Sequence, residues 1–262
     1  MGGLMRYEIL GSLRIQDETG WMTISARKIE TLLAALLIRA DQVVSIEQLI
    51  AEIWGANAPR RATAALHVYV CQLRKFLARP GRRDSPIVTR SPGYMLQMGR
   101  DTLDFQMFDE LVGQGRTHAR AGRPDQALAT FETALKLWRG PALAELRNGP
   151  IINGFVTWLD EIHLEAIEMT ISCYLTLGRH REVVGWLHTL VAEHPLHEAF
   201  YHLLMMALFR SERRADALKV YRGARDTLMR ELGLEPGRTL VELQQTILLS
   251  DPEPLPVMAR PA

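Results

Sequence analysis

One turn motif recurs three times in the rear half of this chain and commits that half to stacked helix pairs. Ala121-Gly122-Arg123-Pro124-Asp125-Gln126-Ala127-Leu128 aligns with Leu177-Gly178-Arg179-His180-Arg181-Glu182-Val183-Val184, and both align with Ser211-Glu212-Arg213-Arg214-Ala215-Asp216-Ala217-Leu218. The copies starting at 177 and 211 are 34 residues apart, the length of one helix–turn–helix repeat. The copies starting at 121 and 177 are 56 apart, which makes one repeat with an insertion holding Gly140-Pro141 and Gly149-Pro150. Small side chains at Ala127 and Ala217 let paired helices approach closely, while Leu128, Leu135, Leu218 and Tyr221 fill the groove between pairs. Pro195 and Pro236 stand before later helices, where a missing N–H is tolerated. Such stacks serve as curved scaffolds for protein contact; a purely structural or dimerising role is the alternative.

The front hundred residues have a different rhythm. Tyr7-Glu8-Ile9-Leu10 and Leu13-Arg14-Ile15 read as short strands, Asp17-Glu18-Thr19-Gly20 as a turn, and Trp21-Met22-Thr23-Ile24 as a further strand. Leu32, Leu33, Leu36 and Leu37 then recur at helical spacing and predict a helix over about 26–40. Ser45 followed by Gln48 forms a capping box. The helix it starts carries Ile46, Leu49, Ile50, Ile53 and Trp54 on its apolar face and ends at Gly55. Past Pro59 a third helix over about 60–78 has a core stripe of Leu66, Val70, Leu73 and Leu77. At ~100° per residue its opposite face carries Arg61, Ala64, His67, Val68, Cys71, Gln72 and Lys75. Small, polar and basic side chains on one exposed face suit the major groove of DNA, which admits one helix. After Pro80-Gly81-Arg82-Arg83, a hairpin runs out along Ile87-Val88-Thr89-Arg90, turns through Ser91-Pro92-Gly93 and returns along Tyr94-Met95-Leu96-Gln97, with Tyr94 as a core residue locking it. From Asp101 onward strand signals vanish.

Charge supports the same division. The whole chain is nearly neutral at +1, yet residues 1–99 hold 13 Lys+Arg against 8 Asp+Glu, and the remainder 18 against 22. Residues 60–90 concentrate eight bases (Arg60, Arg61, Arg74, Lys75, Arg79, Arg82, Arg83, Arg90) against the single acid Asp84. A local excess of this kind is the footprint of a polyanion-binding face. Cys71 and Cys173 lie far apart, which argues for a reducing compartment and against a disulfide framework; Cys71 reads as a surface residue. No apolar run reaches the ~20 residues of a membrane span, so the expected location is the cytoplasm, on the nucleoid.

Two residue sets carry a family resemblance at the front: Val70-x-x-Leu73-Arg74-Lys75 and Thr89-Arg90-Ser91-Pro92-Gly93-Tyr94. With the strand–helix–hairpin order, they resemble an OmpR-type winged helix. The resemblance implies base-edge roles for His67, Val68 and Gln72, phosphate roles for Arg61, Arg74 and Lys75, and a minor-groove role for Arg90. Arg60, Ala64, Thr89 and Ser91 complete the expected DNA-binding set. Many members of that family have arginine where this chain has Gln72; glutamine prefers adenine and arginine guanine, so the resemblance leaves open which base is read here.

The whole chain, over about 5–250, resembles the Streptomyces antibiotic regulatory proteins (SARPs). The matching stretches are Leu33-Ala34-Ala35-Leu36-Leu37, Leu49-Ile50-x-x-Ile53-Trp54-Gly55 and Val70-x-x-Leu73-Arg74. Ala217-Leu218-x-x-Tyr221 and Glu231-Leu232-Gly233-Leu234-Glu235-Pro236-Gly237 are similar to the family's bacterial transcriptional activation domain. The expected fold is an α+β winged helix-turn-helix over 1–99, then an all-α tetratricopeptide-like helical repeat domain over 100–262 with an extended tail at 251–256. The resemblance implies an activator of a secondary-metabolite gene cluster. Such a protein binds direct repeats of double-stranded DNA near a promoter's −35 region, as two protomers side by side, and recruits RNA polymerase holoenzyme.

Enzymatic signatures are missing. Gly233-x-x-x-Gly237-Arg238-Thr239 lacks the spacing and lysine of a phosphate-binding loop, so family members with an added nucleotide-binding domain are not matched. Because the winged-helix pattern starts near residue 5, a phosphoacceptor domain ahead of it is not expected, and neither is activation by aspartate phosphorylation. His197-Glu198-x-x-x-His202 is one residue off the zinc-protease spacing. No catalytic residue, metal site or cofactor is expected. Two other readings stay open: a regulator whose helical domain senses a pathway metabolite, and a helical adaptor that uses the winged helix for protein contact.

Overall fold

The computed structural model describes residues 4–78 and 85–250. The expectations for Arg79, the linker Pro80-Gly81-Arg82-Arg83, Asp84 and the tail at 251–256 lie outside these residues. The chain divides into two compact units, one of Met1–Ala121 and Ala129–Ile167, the other of Gly122–Leu128 and Glu168–Ala262.

The first unit opens with β1 (Arg6–Glu8), β2 (Arg14–Asp17) and β3 (Gly20–Met22), an antiparallel meander. Asp17 builds the turn after β2, its Oδ1 accepting from the Thr19 amide at 2.7 Å and the Gly20 amide at 3.2 Å. Helices α1 (Arg27–Ile38), α2 (Ile46–Trp54) and α3 (Ala62–Phe76) follow. Between α1 and α2 lies β4 (Val44–Ser45), which pairs with β6 (Gly93–Leu96), and β6 pairs in turn with β5 (Ile87–Arg90). The expected capping box is present: the Gln48 amide donates to Ser45 Oγ at 3.1 Å, and the Ser45 amide to Gln48 Oε1 at 3.0 Å. Gly55 closes α2 with a left-handed φ of 55°.

Two short strands were not legible: β4, where the sequence marks Ser45 only as a helix cap, and β7 (Thr102–Leu103). β7 lies parallel to β1, so the first sheet runs β3-β2-β1-β7. Two residues carry no alternation; the strand pairs Thr102 with Arg6 and the buried Leu103 with the buried Tyr7. The carboxylate of Asp104, first residue of α4 (Asp104–Arg120), accepts the Ile9 and Leu10 amides at 2.8 and 3.0 Å. Glu8 is also buried and meets three arginines: Arg14 at 2.6 Å, Arg6 at 2.8 Å and Arg139 at 3.1 Å. The Arg139 and Leu143 amides donate to the carbonyls of Leu10 and Gly11. The front sheet and the first rear segments are thus stitched into one core. α5 (Pro124–Leu135) and α6 (Pro150–Thr176) complete this part of the chain order.

The second unit contains α7 (Val184–Glu193), α8 (Glu198–Arg210), α9 (Arg214–Leu232) and α10 (Arg238–Leu249). The three motif copies share a backbone feature invisible in their letters. Gly122, Gly178 and Glu212, at equivalent positions, all take a left-handed conformation, with φ of 66°, 76° and 65°. Glycine adopts that geometry freely; Glu212 is held in it by the turn between α8 and α9. Ala217 is fully buried and Tyr221 nearly so, as the small-and-large pattern required. Among the described residues no helix is long and apolar enough to cross a membrane.

Candidate nucleic-acid interface

The geometry of α3 follows from its sequence. Leu66, Val70, Leu73 and Leu77 are buried against the core of the first unit, and the Leu77 amide closes the last turn on the Leu73 carbonyl. That fixes the opposite face toward solvent, where Arg60, Arg61, Ala64, His67, Val68, Cys71, Gln72 and Lys75 are all exposed. Val68 stands out: an apolar side chain left 53% exposed amid polar neighbours.

The wing is held against this helix by identifiable contacts. Arg74 is half-buried; its Nε donates to the Ile87 carbonyl at 3.0 Å and its Nη2 to Thr89 Oγ1 at 2.9 Å. Its guanidinium lies 5.8 Å from the centre of the Tyr94 ring. Tyr94 is buried, as expected of a core residue, and burial pushes its phenol above the ordinary value. The His67 ring meets Tyr94 edge-on at 6.4 Å. Gly93 is required by this packing, since a Cβ there would sit 1.9 Å from the Val44 carbonyl oxygen. The turn before it carries the exposed Ser91 and Pro92, and the Pro92 carbonyl accepts the amide of Ile46 at 3.2 Å. Arg90 ends β5 and projects into solvent with Thr89 and Ser91.

The expected set is therefore brought to one side of the first unit, with an internal distinction. Arg60, Arg61, Lys75 and Arg90 make no ion pair among the described residues. Arg74, expected at a phosphate, spends two donor directions inside the unit and acts as the strut between α3 and the wing. Of the basic run, Arg79, Arg82 and Arg83 lie outside the described residues.

A residue that sequence reasoning missed positions α2. Glu52 is only 1% exposed, while Ile50, Ile53 and Trp54, placed on the apolar face, are only half-buried. Its carboxylate accepts the amides of Ile151 at 2.6 Å and Ile152 at 3.1 Å, the otherwise unpaired donors of the first turn of α6. Gly149 makes room for it: a Cβ there would meet the Glu52 carboxyl carbon at 2.3 Å. Desolvation raises the pKa of Glu52, with the two amide bonds opposing. The Gly149-Pro150 pair was the only local signal, a helix start with no capping side chain of its own.

The histidines of the rear motif do other work. His197 Nε2 lies 2.6 Å from Glu168 Oε1, and among the described residues no group of three or more potential ligands could hold a metal ion. Cys71 is exposed and Cys173 buried, both as free thiols.

Comparison with known proteins adds to this geometry. Residues 23–96 match the family described as "Transcriptional regulatory protein, C terminal", and residues 103–248 match "Bacterial transcriptional activator domain". The transcriptional regulator RedD of Streptomyces coelicolor is 37% identical over 254 residues, spanning 96% of this chain and 72% of RedD. The regulatory protein DnrI of Streptomyces peucetius is 34% identical, spanning 95% of this chain and 93% of DnrI. The regulatory protein AfsR of Streptomyces griseus is 36% identical across 98% of this chain, which spans only 26% of AfsR. Among solved structures, Mycobacterium tuberculosis EmbR in complex with a low-affinity phosphopeptide aligns with a TM-score of 0.89 at 32% identity, over 96% of this chain and 66% of that one.

Proposed function

Because the chain belongs to the Streptomyces antibiotic regulatory protein family, whose members are transcription regulators and not enzymes, we propose that it is a sequence-specific DNA-binding activator of a secondary-metabolite gene cluster. It acts in the cytoplasm, on direct repeats beside a promoter's −35 element, as two protomers side by side. Its helical repeat domain contacts RNA polymerase holoenzyme. The observation that carries this reading is the set of exposed cations Arg60, Arg61, Lys75 and Arg90, without an ion pair among the described residues, which frame an outward helical face.

Each side chain has a role that its chemistry supports. Gln72 presents an amide suited to the paired donor and acceptor of adenine, and the exposed Val68 suits a thymine methyl group. His67, steadied by Tyr94, offers a ring nitrogen to a base edge, and Ala64 keeps the helix close to the groove floor. Arg60, Arg61 and Lys75 engage phosphates, which sets register but not sequence. Arg90, with Thr89 and Ser91 beside it, reaches the adjacent minor groove from the wing. Arg74 contributes to the phosphate contact with whatever donor capacity its strut leaves. One winged helix covers little DNA, which is why two copies are needed for a tight specific complex.

A footprint of the purified protein on the promoters flanking its gene, at two salt concentrations, tests the proposal. Two protected patches about one helical turn apart, weakened by salt, are expected. Protection of neither promoter at either salt would overturn it.

A further inference from the structure

The first unit contains a half-open cavity of 370 Å³ that the DNA-reading function does not use. Its walls are aromatic and apolar, with one charge. Ile38 and Arg39, at the end of α1, form one side; Phe105 of α4 and Gly154, Phe155 and Trp158 of α6 form the other. The three rings hold one another in a fixed cage: Phe105 meets Phe155 edge-on at 4.9 Å and Trp158 at 5.5 Å, and Phe155 lies 5.7 Å from Trp158. Trp158 is nevertheless 45% exposed, so a large apolar face is left toward the opening. Arg39 is exposed and makes no ion pair among the described residues.

Gly154 sharpens the picture. A glycine inside a helix costs about 1 kcal/mol relative to alanine, and here no neighbour demands it, since a Cβ would meet nothing within 4 Å. Its effect is to leave the cavity open over α6. A volume in the range of small-molecule pockets, aromatic side chains and a single charged residue on the lining are the features of a ligand site.

We propose that this cavity binds a planar aromatic carboxylate of two or three fused rings, its face stacked against the exposed side of Trp158 and its carboxylate paired with Arg39. A flat ring system suits the slot over Gly154, and edge-to-face and offset contacts with Phe105 and Phe155 favour aromatic over aliphatic ligands. The guanidinium selects an anion. The wall at Pro150 and Ile151 is also the turn capped by Glu52 of α2, so an occupant lies one hydrogen-bonded residue from the helix-turn-helix. The site deepens the metabolite-sensing reading but does not rest on DNA binding.

Titration of anthracene-9-carboxylate with the full chain, followed by the probe's fluorescence anisotropy in the absence of DNA, tests this. Saturable binding is expected, and the neutral anthracene-9-methanol should bind about 10-fold more weakly. Arg39→Gln, a surface change that leaves the core intact, should weaken the acid about 10-fold and bring the two probes level; Gly154→Leu should abolish binding of both. Absence of saturable binding, or affinity unchanged in both variants, would overturn the proposal. Because no DNA is present, either result leaves the reading of α3 and the wing to its own test.

Discussion

At the joint of the first unit, Glu8, Glu52 and Asp104 are 3%, 1% and 1% exposed and engaged by arginines or backbone amides. On the outward face of α3 and the wing, Arg60, Arg61, Lys75 and Arg90 are exposed and make no ion pair among the described residues. The two regions share a unit and treat opposite charges oppositely. These three acids are held inside, where each satisfies donors that burial would otherwise orphan. Bases are left outside, where pairing would be worth little to stability. The front hundred residues have a formal excess of 13 to 8; setting aside Glu8 with its partners Arg6 and Arg14, and the buried Glu52, leaves about 11 to 6, so the excess of five stays on the surface.

The contrast can be broken from either side, and the largest effect is expected at the joint. Glu52→Ala strands two buried amides at the start of α6 and should lower unfolding free energy by about 3 kcal/mol, read by urea denaturation. Gly149→Ala should act in the same direction, because its methyl group occupies the carboxylate's place. On the other side, replacing Arg61, Lys75 and Arg90 together with alanine should leave stability within about 0.5 kcal/mol. The same variant should weaken DNA binding on the order of 10²-fold or more and flatten its salt slope by about 2.7 for each bound protomer. If both variants lost stability alike, the division between holding and reading would fail.

Smaller changes sharpen the comparison. Gln72→Ala should relax preference at one base pair by about 1–2 kcal/mol, while Lys75→Ala weakens all sequences equally; competition against single-base operator variants separates them. Glu212→Gly, at the left-handed position glycine holds in the other two turns, should stabilise by about 0.5–1 kcal/mol, visible as a raised Tm. The pH dependence has a defined sign. Burial raises Glu52 and Asp104 above their ordinary values, so between the unfolded and folded pKa the native state binds more protons and stability falls as pH rises. Wild type should therefore gain on Glu52→Gln as pH is lowered from neutrality toward 4.5, as urea midpoints measured across that window would record.

The reading face was legible because a helix with four core residues at regular spacing dictates its own exterior. Once Leu66, Val70, Leu73 and Leu77 are inside, His67, Val68 and Gln72 have nowhere else to go. The Ser45–Gln48 capping box and the repeated turns were legible for the same reason, being local. What stayed hidden depends on residues far apart in the chain. Glu52 sits at the edge of the apolar stripe of its helical wheel, about 100° or more from Ile46, Ile50 and Ile53, and only the arrival of α6, about a hundred residues later, explains why a carboxylate is buried there. β7 is two residues long and held by its partners. Arg74 looked like one more cation of the run, and its place as strut becomes visible only with the wing folded back on α3.

The most direct test of the central claim is the affinity of the full chain for a promoter duplex and for a random duplex of equal length, measured by anisotropy over a series of salt concentrations. The expected result is a promoter preference of at least 10³-fold, with log affinity falling against log salt at a slope of about −5 to −7, as three or four phosphate contacts from each of two protomers require. Equal affinity for the two duplexes, or a slope near zero, would contradict it.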